Sequence, residues 1–175
     1  YIPTDSENFV IKSGTVSVKA GRYFVSVLVE QPDFQKVKQT GEGIGIDLGL
    51  KEFAVLSDGR TFKNINKTHV VRKLNKQLKR KQRSLSRKYE ALKERNKKRE
   101  ATRQNIHKNL LEVQRLHQRI DNIRTNYINQ CVAQVAKTKP QFVTLEDLNV
   151  KGMMKNRHLS RAVAEQNFHT FRKKL

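Results

Sequence analysis

The chain has one cysteine, Cys131, in 175 residues, which excludes an internal disulfide and any zinc site built on paired cysteines. Long hydrophobic runs are also missing. Runs such as residues 23–29 fall far short of the ~20 apolar residues a bilayer-spanning helix needs. No secretory signal opens the chain, so it reads as cytoplasmic, with no membrane partner. Asn66-Lys67-Thr68 matches a glycosylation pattern by chance in that setting. Hydrophobic residues are 36% of the chain and acids number 16, so the apolar positions must be concentrated in a few segments. There is no low-complexity tract or internal repeat. The five histidines, His69, His107, His117, His158 and His169, lack metal-ligand spacing and read as incidental.

What the chain does have is positive charge: 37 Lys and Arg against 16 Asp and Glu, a net +21. Such a surplus points to a polyanion, since each cation that neutralises a phosphate releases a condensed counterion. The surplus is local. Residues 67–124 hold 20 Lys and Arg against 5 Asp and Glu, which is +15 of the total. In the same stretch Val71, Leu74, Leu78, Leu85 and Leu92 form one apolar seam, and Ile106, Leu110, Val113, Leu116, Ile120, Ile123, Tyr127, Cys131 and Val135 form a second. The seam fails across residues 93–103, which predicts an antiparallel helical hairpin over about 67–138, with one continuous bent helix as the alternative. A solvated face usually mixes signs, and this one does not. Arg72, Lys73, Lys76, Lys79, Arg80, Lys81, Arg83, Arg87 and Lys88 are therefore the candidate nucleic-acid contacts, and Lys97-Lys98-Arg99 is a second basic cluster. Tyr89 and Tyr127 are the only aromatics expected to be exposed on the helices, which favours backbone or shape contact over base stacking.

The apolar residues of 1–40 have strand patterns at Phe9 to Ile11, Val16 to Val18 and Tyr23 to Val29, divided by turn signals at Ser13-Gly14 and Ala20-Gly21. They predict a short β-arm whose partner strands lie outside this chain. Further strands are expected near 43–50, 52–57, 60–64 and 141–145, followed by a loop with Gly152 and a last helix bearing Leu159, Val163, Phe168 and Phe171. Met153 and Met154, in that loop, read as packing filler, and Cys131 as a buried, inert thiol. In GIGIDLGL, alternation buries Ile44, Ile46 and Leu48 and turns Asp47 to the other face, unless Asp47 merely caps the turn at Gly49. In QFVTLED, Glu146 and Asp147 stand at the carboxyl end of an apolar strand, and one of them should face a site. If the two strands are neighbours joined through the helical pair, Asp47 and Glu146 can meet. Two such carboxylates repel unless a cation lies between them, and Mg²⁺ (or Mn²⁺) suits an oxygen-only pair acting on a phosphodiester.

Three segments together, GIDLGLKEFAVLSDG, LNKQLKRKQRSLSRKYE and FVTLEDLNVKGMMKN, resemble the RuvC-like nuclease region of the TnpB family, the transposon-encoded relatives of compact type V CRISPR nucleases. The resemblance covers residues 41–175. It implies an α/β fold of RNase H type with a mixed sheet and the helical hairpin inserted, incomplete at its C-terminus, and makes 1–40 the tail of a wedge-like barrel domain. It also implies an RNA-guided, Mg²⁺-dependent DNA endonuclease associated with transposition, with a DNA target and a guide RNA as partners and Asp47 and Glu146 as catalytic and metal-binding carboxylates. Family members carry a third motif, Asp followed by Asn-Ala-Ala, and a zinc ribbon, and neither is present here. Zinc is thus expected only in the absent C-terminal region of the parent, and the chain is expected to be a truncated, poorly active fragment. A non-catalytic RNA- or DNA-binding protein that uses the basic hairpin is the alternative. GIDLG also opens the nucleotide-binding domains of the actin and sugar-kinase group, but Leu50, Lys51 and Glu52 stand where phosphate-facing hydroxyls would be, which argues against an ATPase.

Overall fold

A computed structural model of the protein describes residues 10–30, 38–39, 42–97 and 103–175. Its first unit is a hairpin of β1 (Val10–Lys19) and β2 (Arg22–Glu30), which pair antiparallel from Val10↔Glu30 to Lys19↔Arg22. The two-residue loop Ala20-Gly21 has positive φ at both positions, 51° and 72°, the backbone hand that matches strand twist. Ser13-Gly14 is not a turn. The register merely shifts between Ile11 and Ser13, because β2 is long enough to pair with the whole of β1 and the continuous ladder outweighs the local bend signal. Among the described residues the arm is therefore two strands rather than three, and Phe9 lies outside them.

The central sheet has the order β5-β4-β3-β6. Strands β3 (Gly43–Leu48), β4 (Glu52–Leu56) and β5 (Thr61–Lys63) run antiparallel, and β6 (Phe142–Leu145) joins the far side of β3 in parallel. Asp58-Gly59 makes the second hairpin turn: Gly59 has φ 86°, and Asp58 accepts from the Arg60 backbone N–H at 3.0 Å. A parallel neighbour requires a long crossover, and α1 (His69–Lys97) and α2 (Gln104–Ala136) supply it. The two helices form an antiparallel hairpin, so the continuous bent helix is excluded. Leu74 and Leu78 pack with Val113 and Ile120, Lys81 pairs with Glu112 at 2.5 Å, and Arg124 reaches back to Asn66, in the short turn of helix just before α1.

The main core lies between the sheet and the C-terminal half of α2. Ile44, Ile46 and Leu48, buried by alternation on β3, meet Ile128, Cys131 and Val135. Cys131 is buried as expected, and burial pushes its thiol up to about 11. Phe53 is the centre of an aromatic cluster, 5.1 Å from Phe171, 5.9 Å from Tyr127 and 6.1 Å from Phe168 between ring centroids. Tyr127 is consequently not a surface aromatic: its hydroxyl donates to the Lys63 carbonyl at 2.5 Å.

Three short helices close the chain: α3 (Val150–Lys155), α4 (Ser160–Gln166) and α5 (Phe168–Lys174). The expected loop at Gly152 is thus a helix, started by the Asn149 side chain, which accepts from the Gly152 N–H at 2.8 Å. Met154 is 42% exposed on it and fills no core. The expected last helix is two, broken at Asn167, which adopts the left-handed conformation at φ 56° that asparagine tolerates better than most residues. The break lets α4 bury Val163 while α5 turns Phe168 and Phe171 inward; Leu159 remains 38% exposed. Among the described residues, no helix is long and apolar enough to cross a membrane.

Because Phe53 is 1% exposed and touches three rings, Phe53→Ala should destabilise the fold by ~3–5 kcal/mol, read as a lowered urea midpoint. An unchanged midpoint would contradict this core.

Candidate active site

The site follows from strand register. Asp47 stands between buried Ile46 and Leu48 on β3, so its side chain emerges on the opposite, exposed face. On the parallel neighbour Leu145 pairs with Ile46, and the Glu146 N–H donates to the Ile46 carbonyl at 3.4 Å. The next residue along each strand is therefore an acid, which puts Asp47 and Glu146 side by side, near enough for Asp47 to act on the Glu146 ionisation. Hydrogen bonding to Asp47, which favours the protonated Glu146 as donor, is the largest cause raising the Glu146 pKa above the ordinary glutamate range, followed by desolvation and by repulsion from the Asp47 charge. Of the two consecutive acids it is Glu146 that meets Asp47. Asp147 turns away and pairs with Arg172 at 2.7 Å.

Two carboxylates in contact offer only oxygen donors, as a hard divalent cation requires. Among the described residues no third His, Cys, Asp or Glu joins them in a group that could hold a metal. The pair fits such an ion as a partial ligand set, of the kind Mg²⁺ completes with water and substrate phosphate.

The turn immediately after Asp47 is held by polar side chains that no sequence pattern singled out. Gly49 donates to the Phe53 carbonyl at 3.2 Å, and a Cβ on Gly49 would sit 3.1 Å from the Glu52 carbonyl oxygen, which makes the turn tight. The Gln166 side chain, 3% exposed, donates to the Gly49 carbonyl at 3.2 Å, and Asn64 donates to that of Leu50 at 2.8 Å. Behind them Asn66 donates to the Glu165 carbonyl at 2.9 Å and accepts from Arg124 at 2.8 Å. The Asn64-Ile65-Asn66 spacing after β5 is a turn signal that could have marked two of these; Gln166 carries no signal at all.

The candidate nucleic-acid contacts all lie on α1. Arg72, Lys76, Arg80, Arg83 and Arg87 recur at helical spacing along one exposed face, and Lys73 and Lys79 are exposed beside them. Lys88 is half-buried. Lys81 is turned into the hairpin by its ion pair with Glu112, whose carboxyl it holds below the usual range.

Residues 25–157 match the family model OrfB_IS605, described as "Probable transposase". The chain is 33% identical over 147 residues to a protein of Escherichia coli (strain K12) named "Putative RNA-guided DNA endonuclease InsQ", covering 84% of this chain and 33% of the relative. It is 31% identical over 147 residues to a "Putative RNA-guided DNA endonuclease" of Streptomyces pristinaespiralis, with the same 84% and 33% coverage. The chain thus spans about a third of the length of the curated relatives it matches.

The raised Glu146 pKa has a definite sign: the fold favours the protonated carboxyl, so this contribution to stability is present at low pH and lost as pH rises through the Glu146 midpoint. Asp47→Asn should move that midpoint down toward ordinary glutamate, followed by carboxyl NMR titration. A midpoint indifferent to Asp47 would refute the contact.

Proposed function

Because the chain belongs to the OrfB_IS605 transposase family, we propose that it contributes the carboxylate pair of a metal-dependent DNA endonuclease guided by RNA. The observation that carries the reading is the convergence of Asp47 and Glu146 from adjacent parallel strands, inside a chain of net +21. The sheet order β5-β4-β3-β6, with a meander on one side of β3 and a parallel strand on the other, supports an RNase H-like fold of the RuvC type. The names of the two relatives support RNA guidance, in which base pairing selects the sequence while protein reads shape and charge.

The division of labour follows from the residues. Asp47 and Glu146 would hold Mg²⁺ or Mn²⁺, which when bound polarises the phosphodiester and activates water for its hydrolysis. The β3–β4 turn, clamped by Gln166 and Asn64, keeps Asp47 at the strand end. The exposed cations of α1 neutralise phosphates and position the nucleic acid by charge. A second reading, binding without cutting, is favoured for this chain by itself, because among its described residues the acid pair has no third partner. An acid pair without a third ligand implies slow cutting or none.

In a protein of the relatives' full length, Asp47→Ala or Glu146→Ala should abolish metal-dependent cutting of target DNA and leave binding in place; retained cutting would remove both from the site. For the present chain, replacing Lys76, Arg80 and Arg83 with Ala should flatten the slope of log affinity against log salt by up to ~0.9 per lost duplex-phosphate contact, or ~0.7 on a single strand. A slope that does not change would mean that this face meets only water.

A further inference from the structure

A buried polar group in the helical hairpin serves neither the acid pair nor the basic face. Asn109 on α2 is 4% exposed, and its Nδ2 has no hydrogen-bond partner among the described residues. Buried Ile106 lies three positions before it and buried Val113 four after, so Asn109 shares their helical face, the one that Val113 turns to α1. Leu110, which the apolar repeat puts on the seam, is only half-buried beside it. In an antiparallel pair, a position three before Glu112 lies level with one about three after Lys81, so the amide meets α1 near Leu85. Packing changes at that level. On the sheet side Leu74, Leu78, Val113 and Ile120 are buried together, and the Lys81–Glu112 ion pair and a Gln82–His117 hydrogen bond at 3.2 Å join the helices. On the far side, among the described residues, Ile106 alone is a buried apolar residue, and Leu92 is half-buried.

We propose that Asn109 makes a joint in the hairpin, so that its outer end, residues 86–97 of α1 with 104–110 of α2, opens as a unit while the inner end stays packed. A donor buried without an acceptor gives up its hydrogen bonds to water when the helices close and recovers them when they part, so the closed state is weakest there. Opening the inner end would instead expose four buried apolar side chains. Arg87, Lys88, Lys93, Arg95 and Lys108 travel with the outer end, whereas Arg72, Lys76 and Arg80 are fixed to the packed one. A straight helix can touch only phosphates in line with it, and a joint lets the outer cations follow a polyanion that curves. This last step rests on the nucleic-acid reading of the basic face; the joint itself does not.

The test is amide hydrogen exchange on this chain, followed residue by residue by NMR. Residues 86–97 and 104–110 should share one opening equilibrium, less protected than 71–82 and 113–128. Asn109→Leu keeps the branched heavy-atom skeleton and removes the unpaired amide. It should slow exchange throughout the outer end ~5- to 150-fold, the worth of a buried unsatisfied donor, and leave the inner end as it was. Asn105→Leu, at an exposed position of the same end, carries only leucine's better helix propensity and should slow exchange about twofold. Protection that falls smoothly along the outer helices with no shared value would overturn the joint. So would outer exchange that Asn109→Leu leaves unchanged or speeds, an equal effect of Asn105→Leu, or an equal slowing of the inner end. A DNA duplex added to the wild-type chain separates the joint from the reading of the basic face. Slowed exchange at the outer end is the expected result, and slowing at the inner end alone would show that the outer cations do not follow the polyanion. Exchange unaltered anywhere on α1 removes the nucleic-acid reading and leaves the joint.

Discussion

Everything that this chain can do at its acidic end depends on the parallel pairing of β3 with β6. That register, Ile46 opposite Leu145, is what puts Asp47 next to Glu146 across 99 positions of sequence. A slip of one residue would turn one of the two acids to the buried face, since side chains alternate along a strand. The pairing also dictates the shape of the rest. Parallel strands need a crossover, and here it is a helical hairpin whose first helix alone is 29 residues, about 43 Å at the usual rise per residue. The element that closes the sheet is thus the same element that carries the basic face.

The two halves of α2 divide these tasks. Toward its C-terminus, Ile128, Cys131 and Val135 press on the sheet, and the register of β6 is stabilised from that side. Toward its N-terminus, Val113 and Ile120 meet α1 in a separate cluster that extends well beyond the sheet. Tyr127 stands near the junction, with its ring on Phe53 and its hydroxyl on the Lys63 carbonyl. Arg124, one turn earlier, joins Asn66 and Glu165, so the base of the hairpin, the start of α1 and the end of α4 are tied at one point. Arg124 thus links the base of the hairpin to the elements that hold the turn after Asp47.

The strand that bears Asp47 was legible because period-two alternation requires a buried Ile44, Ile46, Leu48 face and leaves an acid on the other. Glu146 was legible as the acid at the end of an apolar strand, chosen over Asp147 by the family resemblance, and the ladder puts it next to Asp47 because of where β6 ends against β3. The hairpin was legible from two apolar seams separated by a stretch without one. What stayed hidden was of a different kind. Ser13-Gly14 has the composition of a turn but lies within a strand, since pairing along all of β2 outweighs a local preference. Gln166 resembles any surface glutamine in sequence; its burial depends on α4 meeting the β3–β4 turn, a contact between segments 117 residues apart. Tyr127 has an apolar ring on a helical seam in either reading, and only the position of the Lys63 carbonyl shows what its hydroxyl bonds to.

The charge distribution imposes a final constraint. A phosphodiester brought to Asp47 and Glu146 meets two acids that already oppose each other's ionisation, so neither the +15 of residues 67–124 nor the local cations would by themselves make contact with the scissile phosphate favourable. Attraction by the helical face acts over roughly a Debye length, ~8–10 Å at ordinary salt, and so would gather a polyanion without deciding which of its phosphates meets the acids. In the proposed reading, a cation between the acids and the phosphate would convert that repulsion into attraction. In that reading, long-range capture and local reactivity would fall to opposite charges on different elements, joined through the parallel pairing of β3 with β6.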